Sequence, residues 1–318
     1  MKIYISTLFH LTILSVLSSC VIDPFDTFKE GEWNNERSIL TIKFENQVGL
    51  EQIVRLDDTR GRVNVGINTG GIPDLKNVKI TSLVLSYGAV SSVNVGDALN
   101  FENENNSATF SVTSPTGKAR EYVVTADPFV ETILGTYQVA GLVVWGGTGP
   151  EFGGGAILDM TSKPWVWKAS GGPEAELDNS ITLELEGFTD NGNSYGKIIN
   201  QAGEDGAYAD FYQVGFGGFQ ASDVNHYYRK IPVGEGTWER NYTTGQVTFT
   251  FSDGSTSSGQ FVEGPVTENV GHGQSREISS YAFAFNLAGT DDWDNIYSDY
   301  DKFVKRPRRY WIDLTKLD

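Results

Sequence analysis

Cysteine is almost absent: Cys20 is the only one in 318 residues. One thiol cannot close an internal disulfide, so no disulfide framework supports the fold. Histidine is nearly as scarce, and His10, His226 and His272 stand at no metal-ligand spacing of the H-E-x-x-H kind. No nucleophile elbow of a hydrolase is read on the chain. Positive charge is also short, with 24 Lys and Arg against 41 Asp and Glu, for a net charge of −17. Nucleic acid and anionic lipid headgroups both require basic surface, so neither is expected as a partner. Beyond the first twenty residues no long apolar run remains, and nothing there reads as a membrane-spanning helix. Helical periodicity is confined to a short stretch, 295–303.

What is present begins with the leader. Lys2 supplies a positive start, and an apolar run follows from Ile3 to Leu17. That run is too short to span a bilayer and suits the core of a signal peptide. It ends in Leu17-Ser18-Ser19-Cys20, where small residues admit a peptidase and the thiol can take lipid. This spacing resembles the bacterial lipobox. Residues 1–19 are therefore expected to be a signal peptide, and Cys20 the lipidation site. Multiple acyl chains on Cys20 would then anchor the protein to a lipid bilayer. Cleavage removes Lys2 and no acid, so the remaining 23 basic and 41 acidic residues leave a charge of −18. Residues 20–33 carry no apolar period and read as a tether.

From 34 to 128 the pattern has period two, with frequent turns. Leu40, Ile42 and Phe44 alternate with polar neighbours, as do Val63, Val65 and Ile67, then Phe110 and Val112, then Tyr122 and Val124. Leu83, Leu85, Val93 and Val95 mark further strands. Alternation of this kind buries one face of each strand. Ser114-Pro115-Thr116-Gly117 suits a type I turn opening a hairpin. About seven short strands in about 95 residues predict an immunoglobulin-like sandwich. Asp57 and Asp58, beside Thr59-Arg60-Gly61, read as a polar turn in preference to a metal site. The segments 33–40, 71–75 and Ser114-Pro115-Thr116-Gly117 resemble the N-terminal Ig-like spacer of Bacteroidetes outer-membrane surface lipoproteins, which accompany Sus-type glycan uptake machinery. Surface-exported members also carry acids just after the lipidated cysteine, where Asp23 and Asp26 stand here. The resemblance covers the first 130 residues or so. It implies an outer-membrane, lipid-anchored protein facing the cell exterior, with an outer-membrane uptake complex as a partner.

Asp127-Pro128 marks the expected boundary. Six of the seven tryptophans follow it: Trp145, Trp165, Trp167, Trp238, Trp293 and Trp311. Residues 129–318 hold many strand candidates, including 136–139, 142–145, 165–168, 181–186, 210–214, 227–231, 247–251, 281–287 and 310–314. Many strands without long helices predict an all-β fold, a jelly-roll-like β-sandwich first and a lipocalin-like barrel second. Loops are where function is expected. Trp145 opens a Gly-rich loop from Gly146 to Gly155 that lacks the Gly-Lys-Ser/Thr of a phosphate loop. Its glycines serve turns or close approach to a ligand. Trp165 and Trp167 fall on one strand face, as core or as a stacking platform.

Catalytic signals are thin. Glycoside hydrolysis needs two carboxylates about 5 to 10 Å apart. Glu176 and Asp178 begin an E-x-D-x-x-E motif of jelly-roll glycosidases, but Ile181 holds its third acidic position. Glu184 and Glu186 share a face that reads as solvated. Asp291, Asp292, Asp294, Asp299 and Asp301 are dense enough to offer calcium a site, against a solvated acidic loop. No other cofactor or metal is indicated. The run Lys305 to Arg309 is expected to offset local acids. The reading at this level is non-catalytic binding of a polysaccharide or oligosaccharide. Its candidate ligand-binding residues are Trp145, Trp165, Trp167 and Trp293, and an aromatic face would stack on the C–H groups of a sugar ring. A glycosidase or lyase on a jelly roll, and a structural or adhesive surface protein, are the alternatives.

Overall fold

A computed structural model describes residues 33–70 and 75–317. The leader, Cys20, the tether up to residue 32 and residues 71–74 lie outside them. The chain divides into two compact units, one running up to Pro128 and one from Phe129 onward, the latter taking in Val48–Leu50.

The first unit is a two-sheet sandwich. Strands β1 (Ile39–Phe44), β4 (Val78–Leu85) and β6 (Ala98–Leu99) form one sheet in the order β1-β4-β6. The other runs β2-β3-β8-β7-β5, from β2 (Gln47–Arg55), β3 (Arg60–Asn68), β5 (Val90–Ser91), β7 (Ser107–Thr113) and β8 (Ala119–Phe129). Period-two alternation aims Ile42 and Phe44 of one sheet and Val63, Val65, Ile67, Val112, Tyr122 and Val124 of the other into a single core. Gly117 closes the β7–β8 hairpin, donating its N–H to the Ser114 carbonyl at 2.9 Å. Asp57 is a turn residue, accepting from the Thr59 and Arg60 amides at 2.8 Å each. Those bonds and Arg60 hold its carboxyl well below the usual range. Residues 93–95 lie in the β5–β6 connection, while β2, whose Val54 faces solvent, carries too little alternation to be read in advance.

The second unit is built on one sheet: β9 (Gly135–Gly146), β10 (Ala156–Asp159), β11 (Ser180–Phe188), β12 (Ser194–Gln201), β15 (Gly234–Asn241), β16 (Gln246–Thr250), β17 (Thr256–Glu263), β20 (Tyr281–Asn286) and β21 (Pro307–Lys316). Neighbours pair antiparallel in the order β10-β9-β11-β12-β15-β16-β17-β20-β21, and β21 pairs back onto β9. Eight of the strands therefore close into a barrel, with β10 hydrogen-bonded to the far end of β9. The all-β expectation holds, and of its two forms the strand order is that of the barrel. Closure leaves the eight strands without a free edge. The missed strand β17 begins Thr-Ser-Ser-Gly, too polar and small to signal itself.

Large rings fill the barrel. Tyr137, Trp238, Phe249, Phe283, Phe285 and Tyr310 all point inward and are buried. One end is stoppered by the long connections β9–β11, β12–β15 and β20–β21, which bring in Trp167, Phe211, Tyr228 and Phe303. The rings of Trp167 and Phe303 meet edge to face at 5.4 Å, and the Tyr228 hydroxyl donates to the Phe303 carbonyl at 2.6 Å. Beside Glu176 and Arg229 this packing leaves a void of about 10 Å3, room for about one water. Apart from β10 the connections hold small elements, among them the two-residue strands β13 (Tyr212–Gln213) and β14 (Ser222–Asp223), a single helical turn at Asn225–Tyr228, and short turns at Pro164–Val166, Pro173–Glu176, Trp293–Asn295 and Asp301–Lys305. The strands expected at 165–168 and 227–231 are turns, because these segments plug the barrel instead of joining its wall.

A last excursion, the hairpin of β18 (Val266–Gly271) and β19 (Gln274–Ile278), packs on the outside of the barrel. Trp311 and the small Ala282 and Ala284 lie buried beneath it. Arg276 stands over the Trp311 ring and pairs with Asp313, while the Trp311 Nε1–H donates to Glu268 at 2.8 Å. Burial pushes the Asp313 carboxyl up, and Arg276 opposes that.

Candidate functional site: two surfaces beside a glycine-rich loop

The loop 146–155 joins β9 to β10 and turns back on itself. A Cβ at Gly147 would lie 2.1 Å from the Gly154 carbonyl oxygen, and one at Gly154 would lie 1.9 Å from the Thr148 oxygen. Glycine is required there because the loop's two limbs touch, so the close approach foreseen for a ligand is made by the loop's own backbone. The loop is stapled to the β20–β21 connection. Thr148 donates its amide to Asp301 Oδ2 at 2.6 Å and its hydroxyl to Oδ1 at 2.8 Å, and it accepts the Asp292 amide at 2.7 Å. Burial raises the Asp301 carboxyl above its usual range, against the two Thr148 hydrogen bonds.

On one side of this loop three rings stand in the open. Phe152, Trp293 and Tyr297 are 63%, 55% and 69% exposed. The Phe152 and Trp293 centroids are 6.0 Å apart, and the Tyr297 hydroxyl lies 3.4 Å from the Phe152 carbonyl, to which it donates. Glycine at 149 brings the loop backbone against the Trp293 ring, since a Cβ there would meet it at 2.9 Å. The Phe152 and Trp293 rings are tilted by 59°, and all three rings, each more than half exposed, present aromatic surface to solvent as a stacking platform.

On the other side lies a cleft of about 270 Å3 between the outer barrel wall and the β18–β19 hairpin. Trp145, Arg308, Arg309, Gln260, Glu268 and Asn286 line it. Strand alternation explains Trp145: its neighbour Val144 points into the barrel, so Trp145 points out. The Arg308 guanidinium lies over its ring at 5.5 Å and donates through Nε to the Gly147 carbonyl at 2.8 Å. Arg309 is more firmly held, donating to Asn286 at 2.7 Å and Gln260 at 3.0 Å, with Glu268 at 2.8 Å from its Nε.

The four tryptophans named from sequence part company. Trp145 is half-buried in the cleft wall and Trp293 stands on the platform. Trp165 is 54% exposed, with the Lys163 ammonium over its ring. Trp167 is 2% exposed and its Nε1–H is spent on the Met160 carbonyl at 2.9 Å. The shared strand face expected for Trp165 and Trp167 is corrected by the turn Pro164–Val166, which sends one ring out and the other into the core. Phe152 and Tyr297 were missed, and aromatic residues within a few positions of Trp293 and of the glycine run were the available signal.

The aspartates do not converge. Asp291 pairs with Arg306 at 2.8 Å and lies 3.5 Å from Arg308, Asp299 is 3.3 Å from Lys163, and Asp301 serves Thr148. Among the described residues no group of three or more His, Cys, Asp or Glu is placed to hold a metal ion. Glu184 and Glu186 are exposed on the outer face of β11.

Two carboxylates are buried: Glu176, which the sequence offered only as the start of an incomplete glycosidase motif, and Glu131, which the sequence reading missed. Glu176 accepts from Arg229 at 2.6 Å, the Ala209 amide at 2.9 Å and Asn179 at 3.0 Å. Glu131 accepts from Ser194 Oγ at 2.5 Å, Arg240 at 2.7 Å and the Tyr242 hydroxyl. Ser194 stands in Gly192-Asn193-Ser194-Tyr195-Gly196, a match to G-x-S-x-G that the sequence reading passed over. The segment opens β12 after a hairpin, with a strand following in place of the helix a nucleophile elbow needs. The Ser194 hydroxyl is buried on a carboxylate, so the cluster works as a structural network.

No family model matches the chain, and no curated protein matches it. Among solved structures, a candidate secreted protein from Bacteroides fragilis aligns over 30% of this chain and 96% of its own, at 12% identity and a TM-score of 0.22. A candidate glycoside hydrolase from Bacteroides thetaiotaomicron aligns over 90% of this chain and 84% of its own, at 11% identity and a TM-score of 0.24. At these scores the likeness carries over neither ligand nor activity. No helix among the described residues is long and apolar enough to cross a membrane, which leaves strands out of account.

Proposed function

We propose that this chain is a cell-surface lipoprotein that binds glycan without cleaving it and holds it for an outer-membrane uptake complex. The observation that carries the reading is the solvent-exposed trio Phe152, Trp293 and Tyr297 beside the glycine-rich loop. A sugar ring offers C–H groups to such faces, while core packing accounts for none of the three. The barrel interior, filled by its own rings, leaves the outer surfaces as the place for a ligand. The lining of the neighbouring cleft supports binding over hydrolysis: it includes one carboxylate, Glu268, engaged by Arg309 and Trp311, where a glycosidase uses two. The strong negative charge favours neutral glycans. A panel of neutral polysaccharides in affinity gels, run with wild type and Trp293→Ala, tests it. Retardation of the wild type that the variant loses by about tenfold, at an unchanged melting temperature, is the expected result. No retardation on any neutral glycan would move the adhesive reading ahead.

A further inference from the structure

We infer that the cleft beneath the β18–β19 hairpin is a separate subsite for one sugar unit bearing a carboxylate, a uronic acid. The inference rests on the glycan-binding reading and gives that reading a second, chemically distinct contact. Its size sets the first limit: about 270 Å3 falls just below the range of about 300 to 1,000 Å3 that holds drug-sized ligands, and so suits a single ring. Its wall offers Trp145 as an aromatic surface and Gln260 and Asn286 as amides, which suit hydroxyl groups.

Charge sets the second limit. Arg306 and Arg308 share Asp291, and Arg309 faces Glu268, while Glu151 and Asp301 act on Arg308 from farther off. Arg309 and Glu268 pair at 2.8 Å, and each has further partners, Asn286 and Gln260 for Arg309 and Trp311 for Glu268. Asp291 sits close to Arg306, at 2.8 Å, and farther from Arg308, at 3.5 Å. Arg308, its Nε on the Gly147 carbonyl and its nearest carboxylate 3.5 Å from a terminal nitrogen, lines the cleft and lies over Trp145. A guanidinium at that place matches a carboxylate. The overall charge of −17 repels anions at long range, but that field is screened beyond about 8 Å at physiological salt and the local cation decides at contact.

The test titrates the purified chain with methyl glucuronide, methyl galacturonide, methyl glucoside and sodium acetate, following heat and tryptophan fluorescence. The expected outcome is saturable binding of one uronide, with the glucoside and acetate each weaker by about tenfold or more. Arg308→Gln should erase the preference for the uronide, Arg308→Lys should keep part of it, and Trp145→Phe should remove the fluorescence change. Trp293→Ala should leave uronide binding intact, which separates this subsite from the platform. Equal affinity for glucoside and uronide, acetate binding as tight as the uronide, loss of uronide binding in Trp293→Ala, or no uronide binding at all would each overturn the inference. Failure of the neutral polysaccharides alone would strike the platform and not this cleft.

Discussion

Thr148 and Asp301 are joined by two hydrogen bonds, one from the amide and one from the hydroxyl, between segments 153 positions apart in the chain. This pair fixes the glycine-rich loop to the connection that carries Trp293, and it does so with a buried carboxylate. Thr148→Val keeps the shape and deletes the hydroxyl, leaving the Asp292 amide and one Asp301 oxygen short of a partner. A loss of about 1 to 3 kcal/mol follows from the unpaired groups, read as a lower denaturant midpoint. Platform binding should weaken with it, since Gly149 rests against the Trp293 ring.

Trp167 and Trp293 should respond oppositely to truncation. Trp167→Ala empties a packed site between Tyr228 and Phe303, and a cost of about 3 to 5 kcal/mol is expected for a buried tryptophan. Trp293→Ala and Trp165→Ala expose no core and should leave the melting curve within about 0.5 kcal/mol of wild type. Equilibrium unfolding of the three variants side by side separates the cases.

Glu131 ties acid stability to one residue. Burial alone would raise its carboxyl, but hydrogen bonds from Ser194 and Tyr242 and the Arg240 charge outweigh that and hold it below the ordinary glutamate value of 4.5. A depressed folded pKa contributes stability that is present above the unfolded value and lost as pH falls through the folded one. Wild type should therefore lose more stability on going below pH of about 4.5 than Glu131→Gln does. At neutral pH the variant should be the weaker by on the order of 3 kcal/mol, because Arg240 loses its nearer carboxylate and keeps only Glu263 at 3.8 Å. Urea midpoints measured from pH 7 to pH 3 give both quantities.

Asp301 carries the opposite sign. Its folded pKa is raised by burial, so ionisation costs stability, and that cost is relieved as pH falls through the raised value. Its titration, followed by carbon NMR of the labelled carboxyl, should show a midpoint above 3.8, and Thr148→Val should raise it further by removing a hydrogen bond to the charged form.

Cys20 is predicted to carry the lipid. Cells expressing Cys20→Ala should release the protein into the soluble fraction without palmitate label, whereas wild type should be labelled and sediment with membranes. Equal label in both would remove the anchor from the account.

Much of this molecule is legible from residues alone. Alternation at 63–67, 122–124, 181–185 and 281–285 marks the strands because one-sided burial has a period of two. The Pro-Thr-Gly of residues 115–117 marks a hairpin, as turns need few backbone conformations. Trp145 and Trp293 could be singled out by the loops around them, yet sequence assigned Trp167 the same standing as Trp165. Two residues apart, they differ in burial because a single turn decides which ring enters the barrel, and alternation cannot see a turn that plugs a core. Closure itself was decided in three dimensions. Whether strands with one apolar face make two stacked sheets or one closed sheet depends on whether β9 finds β21 across the 160 residues between Gly146 and Pro307, and no local period records that. The Arg308–Trp145 contact and the Ser194–Glu131–Arg240 network are of the same kind. Each joins groups far apart along the chain, and long-range pairing is chosen by how the whole barrel packs, while local pattern sets only which face each side chain occupies.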